Sequence, residues 1–545
     1  MKFSHALIGV LLLTLTAMSA TIYVPDDYAA IQDAIDNSSD GDTVLVRPGT
    51  YFENVEVNRL IVLQSTDGPG TTIIDGNDAA SVVKLVRGGV VLDGFTIRNG
   101  NARRGGGIHC VANATVTNNI ITQNEAHNQS SEYAKGAGFY AMNTTITISD
   151  NLFSHNSGEK WGGAMCLEDN VAGVISDNIF EYNTAGNGGA ISCIGRATYC
   201  DDRVIDIVIS QNVIRYNQSS GAAAGIDCNR CEKVTIARNF IHDNDNLAQY
   251  GAGGGISTFS GNDTLITDNL IIRNRANNTH GYGGGIVCRY DRTVINNCTI
   301  CFNQVNHQGG GIYVDLSSTE SIDINNTILW DNDGDPNSGP QLHFTGGGGT
   351  LNFRYSDSMN GMNDVYVYTG CVLNWGPGMI DADPLFADTS RDDLHLTWDS
   401  PCRDAGDDSV VTELTDFELD PRSAFGAVDM GADEYYYHLY RMGDVVPGSS
   451  IDLKVVGYPT AKVALALNDF IVDPPLNTPH GDLYITWPML WSGQIGKTPS
   501  TGILLFTTTV PAVWVSGDQY YLQALVGQWG DPAAMFTNYE ALTVK

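Results

Sequence analysis

The chain has 545 residues, with 29 Lys and Arg against 62 Asp and Glu, a formal charge of −33. An excess of negative charge on this scale repels nucleic acid and anionic lipid, so neither is expected as a partner. With 60 glycines, only 18 prolines and 42% hydrophobic residues, the sequence is neither collagenous nor Pro-rich, and it has material for a core.

Residues 1–20 read as a secretory signal: Lys2 and His5 precede the apolar run Ala6–Leu15, and the small residues Ala17, Ser19 and Ala20 follow. That run is too short to span a bilayer, and no later stretch is long enough. The expected location is therefore outside the cell or at its surface, with no transmembrane segment. Near residues 26–36 a short helix is predicted, with Asp26 as N-cap and Ile31, Ala34 and Ile35 on one apolar face. Such a helix would plug the end of the sheet that follows.

The middle of the chain repeats. A cluster of small residues followed by a hydrophobe recurs with Ile108, Phe139, Met165, Ile191, Ile226, Ile256, Ile286 and Ile312, at intervals of 26–35 residues. A second signature, two Asn five positions apart, interleaves with it: Asn119/Asn124, Asn151/Asn156, Asn178/Asn183, Asn212/Asn217, Asn239/Asn244 and Asn269/Asn274. Between these marks the apolar period is two, and Gly and Asn are poor helix residues, so a helical solenoid is excluded. Stacked coils of short parallel strands fit. Asn tolerates the left-handed conformation at coil corners, identical amides one rung apart can form ladders, and Gly permits close backbone approach.

Alternation along the strand after each Gly cluster assigns faces. The hydrophobe points in. The next residue points out, giving the column His109, Tyr140, Cys166, Ser192, Asp227, Ser257, Val287 and Tyr313. The inward column holds Cys110, Cys193, Cys228 and Cys288, four of eleven cysteines, which read as core thiols. The pairs Cys228/Cys231 and Cys298/Cys301 fit no standard zinc-ligand spacing. Export permits disulfides, and Cys200 with Cys231, in loops of adjacent units, is the first candidate pair. From Leu439 to Lys545 the repeat stops. Alternating runs such as Ile451–Val455 and Val463–Leu467 predict antiparallel strands of a β-sandwich module over 439–545.

These repeats resemble the right-handed parallel β-helix of the pectin-lyase-like superfamily, as does the N-terminal stretch Val24-Pro25-Asp26-Asp27-Tyr28 with Gly41-Asp42-Thr43-Val44 and Arg47-Pro48-Gly49-Thr50-Tyr51. Residues 380–435, with Asp383-Pro384-Leu385-Phe386, Ser400-Pro401-Cys402-Arg403-Asp404-Ala405-Gly406-Asp407, Asp420-Pro421-Arg422 and Gly431-Ala432-Asp433-Glu434-Tyr435, resemble the closing segment of bacterial secreted β-helix proteins with a choice-of-anchor terminus. The expected fold is all-β: a right-handed parallel β-helix solenoid over 21–435 with an N-terminal capping helix, then the β-sandwich module.

The resemblance implies chemistry on acidic polysaccharides by lyases, hydrolases or epimerases. Asp201-Asp202 and His280-Gly281 resemble polygalacturonase motifs, but lie 79 residues apart instead of about one coil. The best catalytic set on the outward face is Glu168, Asp227 and Arg289, each two rungs from the next, or about 9.6 Å per step. Tyr140, Trp161, Tyr250, Tyr282 and Tyr313 beside the Gly clusters are candidates to stack on sugar rings. Residues 364–435 hold 17 acidic residues against three Arg, and Asp381 and Asp383 in turn-like sequence are candidate Ca²⁺ ligands; no cofactor is otherwise required. Two functions stand: a secreted or cell-surface β-helix protein that binds extracellular polysaccharide or another surface component without catalysis, or a polysaccharide lyase, glycoside hydrolase or epimerase.

Overall fold

The computed structural model describes residues 19–128, 132–195, 205–261, 263–276, 280–422 and 426–436, and between 439 and 543 the strands of the C-terminal module with short flanks. Met1–Met18 and the segment carrying Cys200, Asp201 and Asp202 lie outside the described residues.

Each coil in the middle of the chain follows one plan. In the coil after Gly188 and Gly189, strands Ile191–Ile194 and Asp206–Ser210 come first, then Asn212, strand Val213–Arg215, Asn217 and the short strand Gln218–Ser219. Equivalent strands of successive coils pair in parallel, in sheets of 24, 12 and 7 strands. The repeat hydrophobes are register partners throughout: Ile108, Phe139, Met165, Ile191, Ile226, Ile256, Ile286, Ile312 and then Leu342. With Cys110, Cys193, Cys228 and Cys288 they fill one continuous core.

Glycine is required at the cluster for two reasons. Gly105 takes a left-handed φ of +61°, and a Cβ on Gly107 would stand 2.5 Å from the carbonyl oxygen of Gly138 on the next coil. Any larger side chain there would force two coils apart and break the ladder above it.

The two Asn signatures become two ladders inside the coils. The Asn119 amide donates to Asn151 Oδ1 at 3.0 Å, Asn151 to Asn178, Asn178 to Asn212, Asn212 to Asn239, and Asn239 to Asn269. The second runs from Asn124 through Asn156, Asn183, Asn217, Asn244, Asn274 and Asn303 to Asn332. Each Oδ1 also accepts the backbone N–H of the preceding Asn, as Asn217 Oδ1 does from Asn183. The ladders thus satisfy buried polar groups that would cost about 1–3 kcal/mol each if left alone. The left-handed corner residue, however, is the one before each Asn and not the Asn itself: Asn118, Asp150 and Asp177 in one column, Gln123, His155, Tyr182 and Tyr216 in the other.

At the N-terminus, helix α1 (Ile31–Asp36) buries Ile31, Ala34 and Ile35 on the first coil. It is shorter than the sequence suggested, and Asp26 does not cap it. Asp26 pairs with Arg47, while the Glu53 carboxylate accepts the first-turn N–H groups of Ile31 and Gln32 at 2.9 and 3.0 Å. Glu53 thus serves as a cap supplied from a neighbouring coil.

Residues 381–435 do not add another coil. They return along the outside of the solenoid, packing Leu394, Leu396, Cys402 and Met430 against Leu270, Ile272, Cys301 and Ile328. Arg422, buried, pairs with Asp268 of a coil and with Glu434. Beyond them, Leu439–Met442, Ser450–Val456 and Ile503–Thr509 form one antiparallel sheet. Lys462–Asn468, Trp491–Lys497, Gln519–Val526 and Met535–Thr543 form another, and the two share a core that includes Leu453, Val455, Val463 and Leu522.

Candidate functional site

The column assigned to the outside by strand alternation has the expected register, Tyr140, Cys166, Ser192, Asp227, Ser257, Val287 and Tyr313, continued by His343. None of these is more than 7% exposed, while His109, the first residue of the same column, is half-buried. Side chains that precede the Gly clusters lean over it. Arg104 lies 5.4 Å from the centre of the Tyr140 ring, Lys135 pairs with Glu168, and the Tyr282 ring sits 5.0 Å from that of Tyr313.

This changes the standing of the predicted catalytic set. Glu168 is buried. Its carboxylate accepts the Tyr140 hydroxyl at 2.6 Å as well as the Lys135 ammonium. Burial opposes its charge, but those two partners hold its carboxyl below the ordinary range. Asp227 is sealed as well. Both of its oxygens are buried, and burial pushes its carboxyl up to about 7, only partly offset by the Ser192 hydroxyl beside it. Arg289 faces Asp315 at 3.5 Å and the rings of Phe259 and Tyr290. The register leaves two rungs between Glu168 and Asp227, and two between Asp227 and Arg289. These three residues therefore occupy separate surroundings. A glycosidase needs two carboxyl groups flanking one reachable bond, and Glu168 and Asp227 do not offer that.

The predicted sugar-stacking residues divide. Tyr140 is fully buried and Tyr313 nearly so, which leaves neither a free ring face. Trp161 and Tyr282 are half-buried, and Tyr250 is exposed, stacked on His280 with centroids 5.0 Å apart. Cys231 is buried and its thiol lies 3.2 Å from the Cys193 carbonyl oxygen, while its suggested partner Cys200 lies outside the described residues. Asp383 accepts the Leu385 N–H in a local turn, and Asp381 accepts the N–H of Asn360, 21 residues earlier, each at 2.9 Å.

A more accessible set lies at the corner before the second Asn ladder. His155, Tyr182, Tyr216, Asp243 and Arg273 all have φ between 52° and 56°, so each coil delivers one side chain to the same ridge. His155 and Tyr182 stack at 5.2 Å, as do Tyr182 and Tyr216. Tyr182 and Tyr216 remain 47% and 40% exposed. Beside them opens a groove of about 290 Å³ lined by Tyr182, Tyr216, Gln218, Asp245, Arg273 and Arg275, with Asp243 in its wall. Burial works against the Asp243 charge, yet hydrogen bonds from His242 and from Arg273, at 2.7 and 2.9 Å, hold its carboxyl at about 2. Rigid aromatic surface next to fixed donors and acceptors suits a polar, hydroxyl-rich ligand. Sequence reasoning missed this ridge, although its signal was the residue before each second-signature Asn.

Residues 200–357 match the family model for the right handed beta helix region. A stretch of 97 residues is 35% identical to a protein called cell surface glycoprotein from Methanothermus fervidus, covering 17% of this chain and 16% of that protein. The chain thus spans about a sixth of the length of the curated relative it matches. Together with the parallel ladders, these findings make this a right-handed parallel β-helix protein. Among the described residues no helix is long and apolar enough to cross a membrane.

Proposed function

We propose that this is a surface-associated β-helix protein that binds extracellular glycan along its coil-corner ridge, without catalysis. What carries this reading is the exposed Tyr182–Tyr216 stack, repeated at the coil spacing beside a groove of fixed polar groups. Phenol rings supply apolar contact area and hydroxyls, and Gln218, Asp245 and Arg275 supply hydrogen bonds to sugar hydroxyls. The surface assignment draws on the name of the partial relative. The burial of Asp227 and the ion pairing of Glu168 favour binding over bond cleavage.

Affinity electrophoresis of the purified protein through gels containing a panel of polysaccharides tests it. At least one polysaccharide should retard the wild type, and the Tyr182→Ala/Tyr216→Ala variant should lose about tenfold or more in affinity. Equal retardation of both proteins would sink the ridge as the binding face. New reducing or unsaturated sugar ends that disappear in Asp227→Asn would establish the enzyme reading instead.

A further inference from the structure

We propose that His395, Glu418 and Asp433 form a binding site for a zinc-like divalent cation, which closes the returning segment on itself where it packs on the flank of the solenoid. One nitrogen and two carboxylate oxygens from these residues lie within 4.8 Å of one another. Among the described residues no other group of three or more such side chains comes together in this way, and Asp381 and Asp383 are not part of it.

Three further observations point to a ligand. Asp433 is 9% exposed, and neither of its carboxylate oxygens has a hydrogen-bond partner. A buried carboxylate left in that state is costly unless something positive meets it. All three side chains line one cavity of about 260 Å³, walled on its other sides by Phe240, Leu270 and Phe417. The imidazole lies between two carboxylates, Nδ1 2.6 Å from Asp393 and Nε2 3.0 Å from Glu418, so a metal would take the place of the Nε2 proton that now meets Glu418. A carboxylate behind a histidine fixes the ring and raises its basicity in metal sites. Asp393 in turn holds Lys454 of the C-terminal module.

The donor set decides the class of ion. An imidazole nitrogen with two carboxylates suits zinc and its neighbours, whereas Ca²⁺ takes six or more oxygens. Two carboxylate charges balance one divalent cation. The three ligands come from strand Asp393–Leu396 and from two later loops, so a bound ion would close three chain segments on one another.

The test uses the full chain, stripped with a chelator and then titrated with Zn²⁺, Co²⁺ or Ca²⁺. Zn²⁺ should bind at one ion per chain by calorimetry and raise the thermal midpoint, with Ca²⁺ much weaker. Asp433→Asn should weaken Zn²⁺ by at least about tenfold and abolish the thermal shift. Without metal, Asp433→Asn should unfold no earlier than wild type, because it removes an unpartnered buried carboxylate. That comparison separates loss of binding from loss of fold. The Co²⁺ form should show visible d–d bands of nitrogen and oxygen ligation that vanish in His395→Ala. Unchanged Zn²⁺ affinity in Asp433→Asn, a thiolate charge-transfer band tracing the metal to the cysteines, or absence of stoichiometric binding would each overturn the proposal.

Discussion

The coils and the returning segment both bury polar groups, and they satisfy them in opposite ways. In the two ladders of the coils the groups are neutral amides, and each finds its partner in the same residue one coil on. In the returning segment they are charges with singular partners. Arg422 reaches Asp268, Glu434 and the Ala432 carbonyl. Asp416 accepts the N–H groups of Glu418, Asp420 and Glu434, and Asp429 those of Asp404 and Tyr435. Repetition spreads the cost of polar burial evenly, whereas the singular network concentrates it in a few residues whose loss leaves several others stranded.

The largest expected effect breaks the singular side of this contrast. Arg422→Met leaves the buried Asp268 and Glu434 without their cation and should cost about 3–5 kcal/mol. Denaturant unfolding measures it, and limited proteolysis should open the segment around residues 381–435 first. A loss under about 1 kcal/mol would mean the network is not cooperative. On the repetitive side, Asn217→Ala removes the acceptor used by Asn183 and the donor used by the Phe180 carbonyl, and should cost about 2–3 kcal/mol by the same measurement.

Asp227→Asn sharpens the contrast within the coils, because Asp227 is a charge where the ladders use amides. Its folded carboxyl titrates at about 7, above the ordinary 3.8. The unfolded chain therefore releases this proton at lower pH, and the wild type loses stability as pH rises from about 4 to about 7. The variant should gain about 1–3 kcal/mol near pH 8 and nothing near pH 4, read from unfolding midpoints at each pH. A gain independent of pH would contradict the buried-acid account. The smallest effect belongs to the surface: Tyr216→Ala should leave stability within about 0.5 kcal/mol while weakening polysaccharide retention.

Much of the solenoid was legible because it repeats. The Gly clusters and paired Asn fixed the coil length, and alternation gave the register of Tyr140, Cys166, Ser192 and Asp227 correctly. Pattern alone could not show that this outward column is covered, since the covering side chains, Arg104, Lys135 and Tyr282, belong to the corner ahead of each strand. It also put the left-handed conformation on Asn119 and its equivalents, when Asn118 and its equivalents carry it and leave the next amide free to join the ladder. His395, Glu418 and Asp433 were not legible as a group. They sit 15 or more residues apart in a segment without period, and only packing against the coils brings them together.

The returning segment also alters how the shaft would bear load. Parallel rungs stacked along an axis are links in series, so tension on one end would peel the coils away singly. Here Glu413 grips Arg238, Asp392 grips Arg273, the Val410 carbonyl takes the Asn296 amide, and Asp407 meets Asn326, all on successive coils. One strap laced across several turns makes those turns yield together, giving this part of the rod the mechanics of a splinted bundle instead of an unravelling thread.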